Sequence, residues 1–284
     1  MSDILFCFGL GYSAKVLAER LAARGWTVRG TTRRPEKAAA LEARGWQAFR
    51  FDRDNPLPEA ALAGVTHVLT SIAPDEAGDP VLDLEGERLR RLSTLAWIGY
   101  LGTTAVYGDR QGAWVDEDTA IEPTLARADR RARAEAAWLG SGLPVHVFRL
   151  AGIYGPGRNA FVNLKDGTAR RIVKPGQVFS RIHAEDIATV LEASIARPRP
   201  GAIYNVCDDE PAPPQDVVAH AAALLGVEPP PEQDYATADL SPMARTFYKD
   251  NRRVRNERIK QELGVRLAYP SYREGLAALL AVDG

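Results

Sequence analysis

Gly9, Gly11 and Ala14 stand at G-x-G-x-x-A spacing directly after the apolar run Ile4, Leu5, Phe6 and Phe8. The chemistry that suits these types is the cradling of a phosphate group. The first glycine permits a sharp turn, the second lets the main chain approach a pyrophosphate, and Ala14 is small enough for a helix to pack close to a strand. A helix is predicted over about residues 13–24, with Val16, Leu17 and Leu21 at helical spacing and Gly25 as its stop. A second strand over 27–30 closes a β-α-β unit, and in that context the glycine spacing points to a dinucleotide. Gly9, Leu10, Gly11, Tyr12 and Ser13 are the residues expected against the pyrophosphate. The alternative is a structural turn that holds no ligand.

The segment after the second strand bears on which dinucleotide. A ribose 2′-hydroxyl is usually met there by Asp or Glu, and a 2′-phosphate by cations. Here the chain reads Thr31, Thr32, Arg33, Arg34, with no acid before Glu36. Two planar guanidiniums beside two hydroxyls suit phosphate oxygens, so NADP is the expected cofactor and NAD the alternative. A solvated basic loop is the other reading, since exposed arginines are common.

These residues need a scaffold, and strand and helix signals alternate along the chain. Strands are predicted over 47–51, 66–71, 97–104 and 144–150, with a short helical segment containing 84–92 and a helix over 125–139. Such alternation implies an α/β, Rossmann-type doubly wound parallel sheet, whose ligands sit at the carboxyl ends of the strands. That rule selects Asp52, Ser71, Ile72 and Ala73, then residues 103–107 and 151–154.

Composition narrows the class. The chain has 284 residues, enough for a full core and a second, smaller lobe. Lys plus Arg number 36 against 37 for Asp plus Glu, so no overall field recruits nucleic acid or a membrane surface. The two cysteines, Cys7 and Cys207, lie far apart, which disfavours a disulfide framework and fits a reducing cytoplasm. The first apolar run has no basic flank and enters the glycine turn, so a signal peptide is not expected. No segment approaches the ~20 apolar residues of a membrane span, and no metal site is expected.

Several further motifs carry a resemblance. Thr103-Thr104-Ala105-Val106-Tyr107-Gly108, with Asp116-Glu117 and Glu122-Pro123, resembles the central signature of extended short-chain dehydrogenases/reductases, the NAD-dependent epimerase/dehydratase family. Residues 148–158, 181–188, 204–206 and 269–276 resemble its later segments in order, so the likeness spans essentially the whole chain. It implies a Rossmann core from residues 1–152 plus about 178–207. It also implies a smaller C-terminal substrate lobe from about 153–177 plus 208–284. Thr103 matches the Ser/Thr that hydrogen-bonds a substrate oxygen. Asp52 matches an acid that accepts from the adenine amino group. A small-molecule substrate is implied, and a homodimer through helices beside the fifth strand, although the arginine-rich helix weighs against that contact.

The chain departs from the family pattern in two places. Its phosphate turn is one residue shorter than G-x-x-G-x-x-G. More seriously, the family's Y-x-x-x-K pair is missing: there is no Tyr between Gly108 and Ile153 and no Lys between Ala38 and Leu164. Aligned through Glu135, Arg127 and Arg131 fall at those two places. An arginine cannot cycle a proton near neutral pH. Arg131 can still act as a fixed cation toward the cofactor ribose, and Arg127 and Arg181 are the candidate substrate-binding cations. A solvated helix face is the alternative for Arg127, Arg130, Arg131 and Arg133. Tyr107, near a strand end, is a substitute catalytic candidate beside Thr103, although its place in the motif suits packing. Two functions follow: an NADP-dependent oxidoreductase or epimerase on a small polar or nucleotide-linked substrate, or a catalytically silent NADP(H)-binding sensor. A nucleic-acid-binding module is disfavoured by the charge balance.

Overall fold

A computed structural model describes residues 3–284. The apolar runs form β1 (Ile4–Phe8), β2 (Thr27–Thr31), β3 (Gln47–Phe49), β4 (His67–Thr70), β5 (Trp97–Thr103), β6 (Val145–Leu150) and β7 (Ile203–Val206). They lie in one parallel sheet in the order β7-β6-β5-β4-β1-β2-β3. Ile4 faces Thr27 on one side of β1, and Leu5 faces His67 on the other. The chain therefore winds outward from β1 in one direction and then outward from β4 in the other. The junction of β1 and β4 is the switch point where such sheets bind ligands. The connecting helices include α1 (Tyr12–Ala22), α2 (Pro35–Glu42), α3 (Pro80–Arg90) and α4 (Ala126–Leu139).

Most element ends differ from the sequence reading by one or two residues, and two of the differences have clear local causes. β3 stops at Phe49, two residues early, because Asp52 and Asn55 exchange main-chain hydrogen bonds of 3.3 and 3.1 Å and turn the chain away. The helical segment containing 84–92 becomes α3, which starts at Pro80 and stops at Arg90, two residues short of Leu92. Asp79 caps it, its Oδ1 accepting from the N–H groups of Val81 and Leu82 at 3.0 and 3.1 Å, and proline suits the first helical position.

The chain divides into two compact units. The first runs through Thr103 and takes in Asp129–Arg149 and Ala188–Tyr204. Its core packs Phe6, Phe8, Val68, Ile98, Tyr100 and Trp138, all but excluded from water. Inside it Glu135 and Arg149 form an ion pair, with Arg149 Nη2 donating to Oε1 at 2.6 Å and Nε to both carboxylate oxygens at 3.2 Å.

The second unit comprises Thr104–Ala128, Leu150–Ile187 and Asn205–Gly284. Its core joins Tyr154, Phe161, Ala221, Tyr272, Leu276 and Leu279. Short parallel pairings tie its segments, Arg181–His183 with Gly152–Tyr154 and Arg253–Val254 with Trp114–Val115. Asp186 clamps the C-terminal stretch, its two oxygens accepting from the N–H groups of Ala268 (2.8 Å) and Tyr269 (3.0 Å). His183 packs against Tyr269 and the edge of Tyr154, and burial holds its pKa down at about 4. Among the described residues no helix is long and apolar enough to cross a membrane, and no cluster of His, Cys, Asp or Glu could hold a metal.

Candidate functional site

In the first unit the glycine turn sits at the β1/β4 switch point and is braced from two strands. Gly9 N–H donates to Thr31 Oγ1 at 2.8 Å, and Leu10 N–H to the Thr31 carbonyl at 2.9 Å. From the β4 side Ser71 Oγ donates to the Gly9 carbonyl at 2.5 Å. Gly9 has φ +83°, and a Cβ there would lie 2.8 Å from Ser71 Oγ and 3.0 Å from Ile72 Cγ1. Only glycine fits. α1 then begins at Tyr12 with Gly11 as its cap, no side-chain capping bond and no acid in its first turn. Its leading N–H groups and positive dipole end can therefore receive an anion. Ser13 and Ala14 are buried beneath this turn. The expected residues Gly9 to Ser13, with Ser71 and Ile72, are brought together; Ala73 is exposed at the outer end of the same loop.

Thr32 continues from β2 and is fixed by its N–H donating to the Phe49 carbonyl at 2.9 Å. Its hydroxyl accepts from Arg34 N–H at 3.3 Å, and Arg34 caps α2. Arg33 and Arg34 are both exposed, and among the described residues no acid pairs with either guanidinium. Other arginines of this unit are engaged: Arg53 holds Asp75 at 2.6 Å and Asp83 at 2.8 Å. Asp52 belongs to its own loop, its Oδ1 accepting from Asn55 Nδ2 at 2.6 Å and Asp54 N–H at 3.1 Å. The Asn55 bond is the main reason its pKa lies below the usual carboxylate value.

Thr103 is the last residue of β5 and half-buried. Two residues earlier, the Leu101 carbonyl accepts from Arg131 Nη1 at 2.8 Å. Arg131 also lies beside the hydroxyl of buried Tyr100, whose pKa is pushed up to about 12 by burial against the pull of that guanidinium. Arg131 is thus a cation anchored to the end of β5. The solvated-face reading describes Arg133, which pairs with Asp129 at 3.0 Å in the open, but not Arg131.

The second unit holds the other candidates. Tyr107 closes the 3₁₀ turn Thr104–Tyr107, is fully buried, and donates its hydroxyl to Asn205 Oδ1 at 2.7 Å. In this arrangement that proton is committed to packing. Arg127 stacks on Phe247, 4.6 Å from the ring centre, with Nη1 3.0 Å from Met243 Sδ. Arg181 Nη1 donates to the Phe179 carbonyl at 2.8 Å and the Ala212 carbonyl at 3.1 Å. Tyr248, whose ring meets Phe179 edge-on at 5.4 Å, lies within reach of the Arg181 charge. Arginine and aromatic side chains are thus gathered around the segment 247–248. Sequence reasoning missed Asp208, which is 1 % exposed and donates its N–H to the Arg181 carbonyl at 2.7 Å. Nothing in the acidic run 208–210 was singled out from the sequence.

No family model matches this chain. A solved structure from Silicibacter pomeroyi DSS, described as a functionally unknown conserved protein, is 57% identical, covers 99% of both chains and superposes with a TM-score of 0.92. The two proteins belong to one family. Escherichia coli K12 Protein YeeZ is 27% identical over 290 residues, 92% of this chain and 94% of its own length. A Streptomyces 3-diazoavenalumate denitrifying reductase is 26% identical over 306 residues, 96% of this chain and 98% of its own. More distant structures share the fold. One is the Bacillus anthracis dTDP-glucose 4,6-dehydratase in complex with NAD (TM-score 0.78, 17% identity, 99% of this chain and 96% of that one). Another is the human epimerase family protein SDR39U1 with NADPH (TM-score 0.73, 18% identity, 98% and 99%). The architecture is the Rossmann type of the epimerase/dehydratase proteins.

Proposed function

We propose that this chain is an NADP(H)-dependent oxidoreductase acting on a small polar substrate that carries an acidic group. The observation that carries the reading is the braced turn at Gly9, with the unpaired guanidiniums of Arg33 and Arg34 following β2. A dinucleotide fits these residues, because a cradle that a Cβ would fill and an uncapped helix start are what a diphosphate requires. Bound there, a nicotinamide supplies or accepts a hydride. The chain's own contributions are positional. Gly9 to Ser13 hold the diphosphate, Arg33 and Arg34 the 2′-phosphate, and Arg131 the nicotinamide ribose. Thr103 orients the substrate oxygen, and Arg127 and Arg181 receive the acidic group.

Reduction is favoured over epimerisation because a Streptomyces relative of similar length is named a reductase. The proton that a reduced carbonyl oxygen needs must come from solvent or from the substrate's own acidic group, since arginine at the tyrosine position does not supply one. The second reading, a silent NADP(H)-binding sensor, rests on that same replacement of Tyr and Lys. We place the protein in the cytoplasm, where its two buried free cysteines remain reduced, and expect a homodimer.

The test is titration of NADPH and NADH by fluorescence quenching, repeated with Arg33→Ala and Arg34→Ala. NADPH should bind more tightly, and each substitution should cost it about tenfold, the scale of one charge-assisted hydrogen bond. Equal affinities would overturn the NADP assignment. Oxidation of NADPH by keto acids, aryl acids or sugar nucleotides then separates enzyme from sensor.

A further inference from the structure

We propose that Asp208 is a positioning residue that sets the charge Arg181 offers to an acidic ligand, so that ionisation of this buried carboxyl releases the ligand. The inference rests on the reading that Arg181 receives the substrate's acidic group, and goes beyond it by assigning a control to that contact.

The geometry is unusual for a buried acid. Neither carboxylate oxygen of Asp208 completes a hydrogen bond. Burial raises its pKa to about 8, outweighing the Arg181 charge, which favours the ionised form. Arg181 does not close on the carboxylate as an ion pair, because its Nη1 is held by the Phe179 and Ala212 carbonyls. Main-chain carbonyls carry no net charge, so the guanidinium keeps its positive charge while Asp208 is protonated. Once Asp208 ionises, its negative charge opposes any second anion brought to the same guanidinium, and buried charges are weakly screened.

The charged and titratable groups around Asp208 are engaged with partners of their own or shifted by burial. On its own segment, Asp209 is paired with Lys260 at 2.6 Å and Glu210 with Arg273 at 3.3 Å. Burial raises the Cys207 thiol well above its ordinary value, and that thiol donates to the Val254 carbonyl. From strand Gly152–Tyr154, Tyr154 is also pushed up by burial and donates to the Ser271 carbonyl. Tyr248 and Tyr272, which face Arg181 from the segments 242–248 and Tyr272–Asp283, are shifted upward too. His183, beside Tyr154 on the Arg181 strand, is held neutral. Asp186, which also faces Tyr154, accepts from the Ala268 and Tyr269 N–H groups, and Glu274 accepts from the Ser271 hydroxyl.

p-Toluenesulfonate is a suitable probe, because its charge is constant between about pH 6 and pH 9.5 while an acid of pKa near 8 titrates. Its affinity for the full-length wild-type protein should fall about tenfold across that range, a coupling equal to about one pKa unit. Asp208→Asn, close in shape and always neutral, should bind at the low-pH affinity throughout. Arg181→Gln should bind weakly at every pH. If Arg181→Gln binds like wild type, the acidic-group assignment fails. If it loses binding while Asp208→Asn keeps the full pH dependence, Asp208 has no control over the contact and the proposal fails alone. Carbon-13 NMR of the wild-type aspartate carboxyls gives a second measurement independent of any variant. A buried aspartate titrating near pH 8, shifted upward by the probe, is the expected result, and its absence overturns the proposal.

Discussion

Glu135 in the first unit and Asp208 in the second are both buried carboxylates beside an arginine, and they are built to different ends. Glu135 and Arg149 are 3 % and 4 % exposed and meet through three hydrogen bonds, so each charge is fully answered. Asp208 is as deeply buried, but its arginine is turned to main-chain carbonyls and its oxygens complete no bond. A closed pair fixes structure, joining α4 to β6. An open pair leaves a guanidinium with unsatisfied charge and a carboxyl with an abnormal proton affinity, the condition found at binding sites more often than in cores.

The comparison predicts opposite responses to neutralising each acid. Glu135→Gln leaves the Arg149 charge buried without its counter-ion and should cost about 3–5 kcal/mol of stability. Asp208→Asn removes no completed bond and should leave stability at pH 9 unchanged or higher. Urea unfolding of both variants checks this. A loss at Asp208 as large as that at Glu135 would show that the two pairs are alike.

The pH dependence of stability sharpens the same contrast. The folded value for Asp208, about 8, lies above its ordinary value of 3.8, so the folded chain binds this proton more tightly than the unfolded one. The stabilising contribution is therefore complete below the ordinary value. It declines as pH rises from about 4 toward 8, by about 1.4 kcal/mol per pH unit at most, and is flat above. The difference between wild type and Asp208→Asn, measured by urea unfolding at several pH values, should follow that window. A pH-independent difference would return Asp208 to an ordinary paired state.

What could be read in the sequence divides along the same line. The glycine turn was legible because its chemistry lies in consecutive residues, and the sheet because each strand is a local apolar run. The larger displacements of element ends came where local bonding outside the period intervened, as at the Asp79 cap and the Asp52–Asn55 turn. The second unit was far less legible. Its two- and three-residue strands exist only through pairing with distant segments. The burial of Asp208 depends on Arg181, 27 positions away in the chain, and a run of three acids carries no local mark of it. Glu135 served to align α4, but its bond to Arg149 likewise needs the sheet to bring β6 beside the helix.

Gly9 in the phosphate turn and Gly25 after α1, two residues of nearly identical φ, separate binding from folding. Gly9 and Gly25 have φ of +83° and +84°, but an added Cβ meets Ser71 and Ile72 at Gly9 and nothing within 4 Å at Gly25. Both Gly→Ala changes should lose about 1 kcal/mol or more from the left-handed backbone. Only Gly9→Ala should also weaken NADPH binding, by more than about tenfold, because the turn must move to relieve the contact. Equal NADPH affinities in the two variants would detach the turn from the cofactor.

Asp52 carries the smallest expected effect. The resemblance assigns it a hydrogen bond from the adenine amino group, yet its Oδ1 already accepts from Asn55 and Asp54, and Oδ2 faces Arg50 at 3.5 Å. A residue that shapes its own loop affects a ligand mainly by holding that loop in place. Asp52→Asn preserves an acceptor for the loop and should change NADPH affinity less than about twofold, whereas Asp52→Ala frees the loop and should weaken binding up to about fivefold, below the scale of a charged hydrogen bond. A loss with Asn as large as with Ala would mean that the carboxylate charge itself meets the cofactor. The adenine contact would then be the dominant role of this residue and the loop a secondary one.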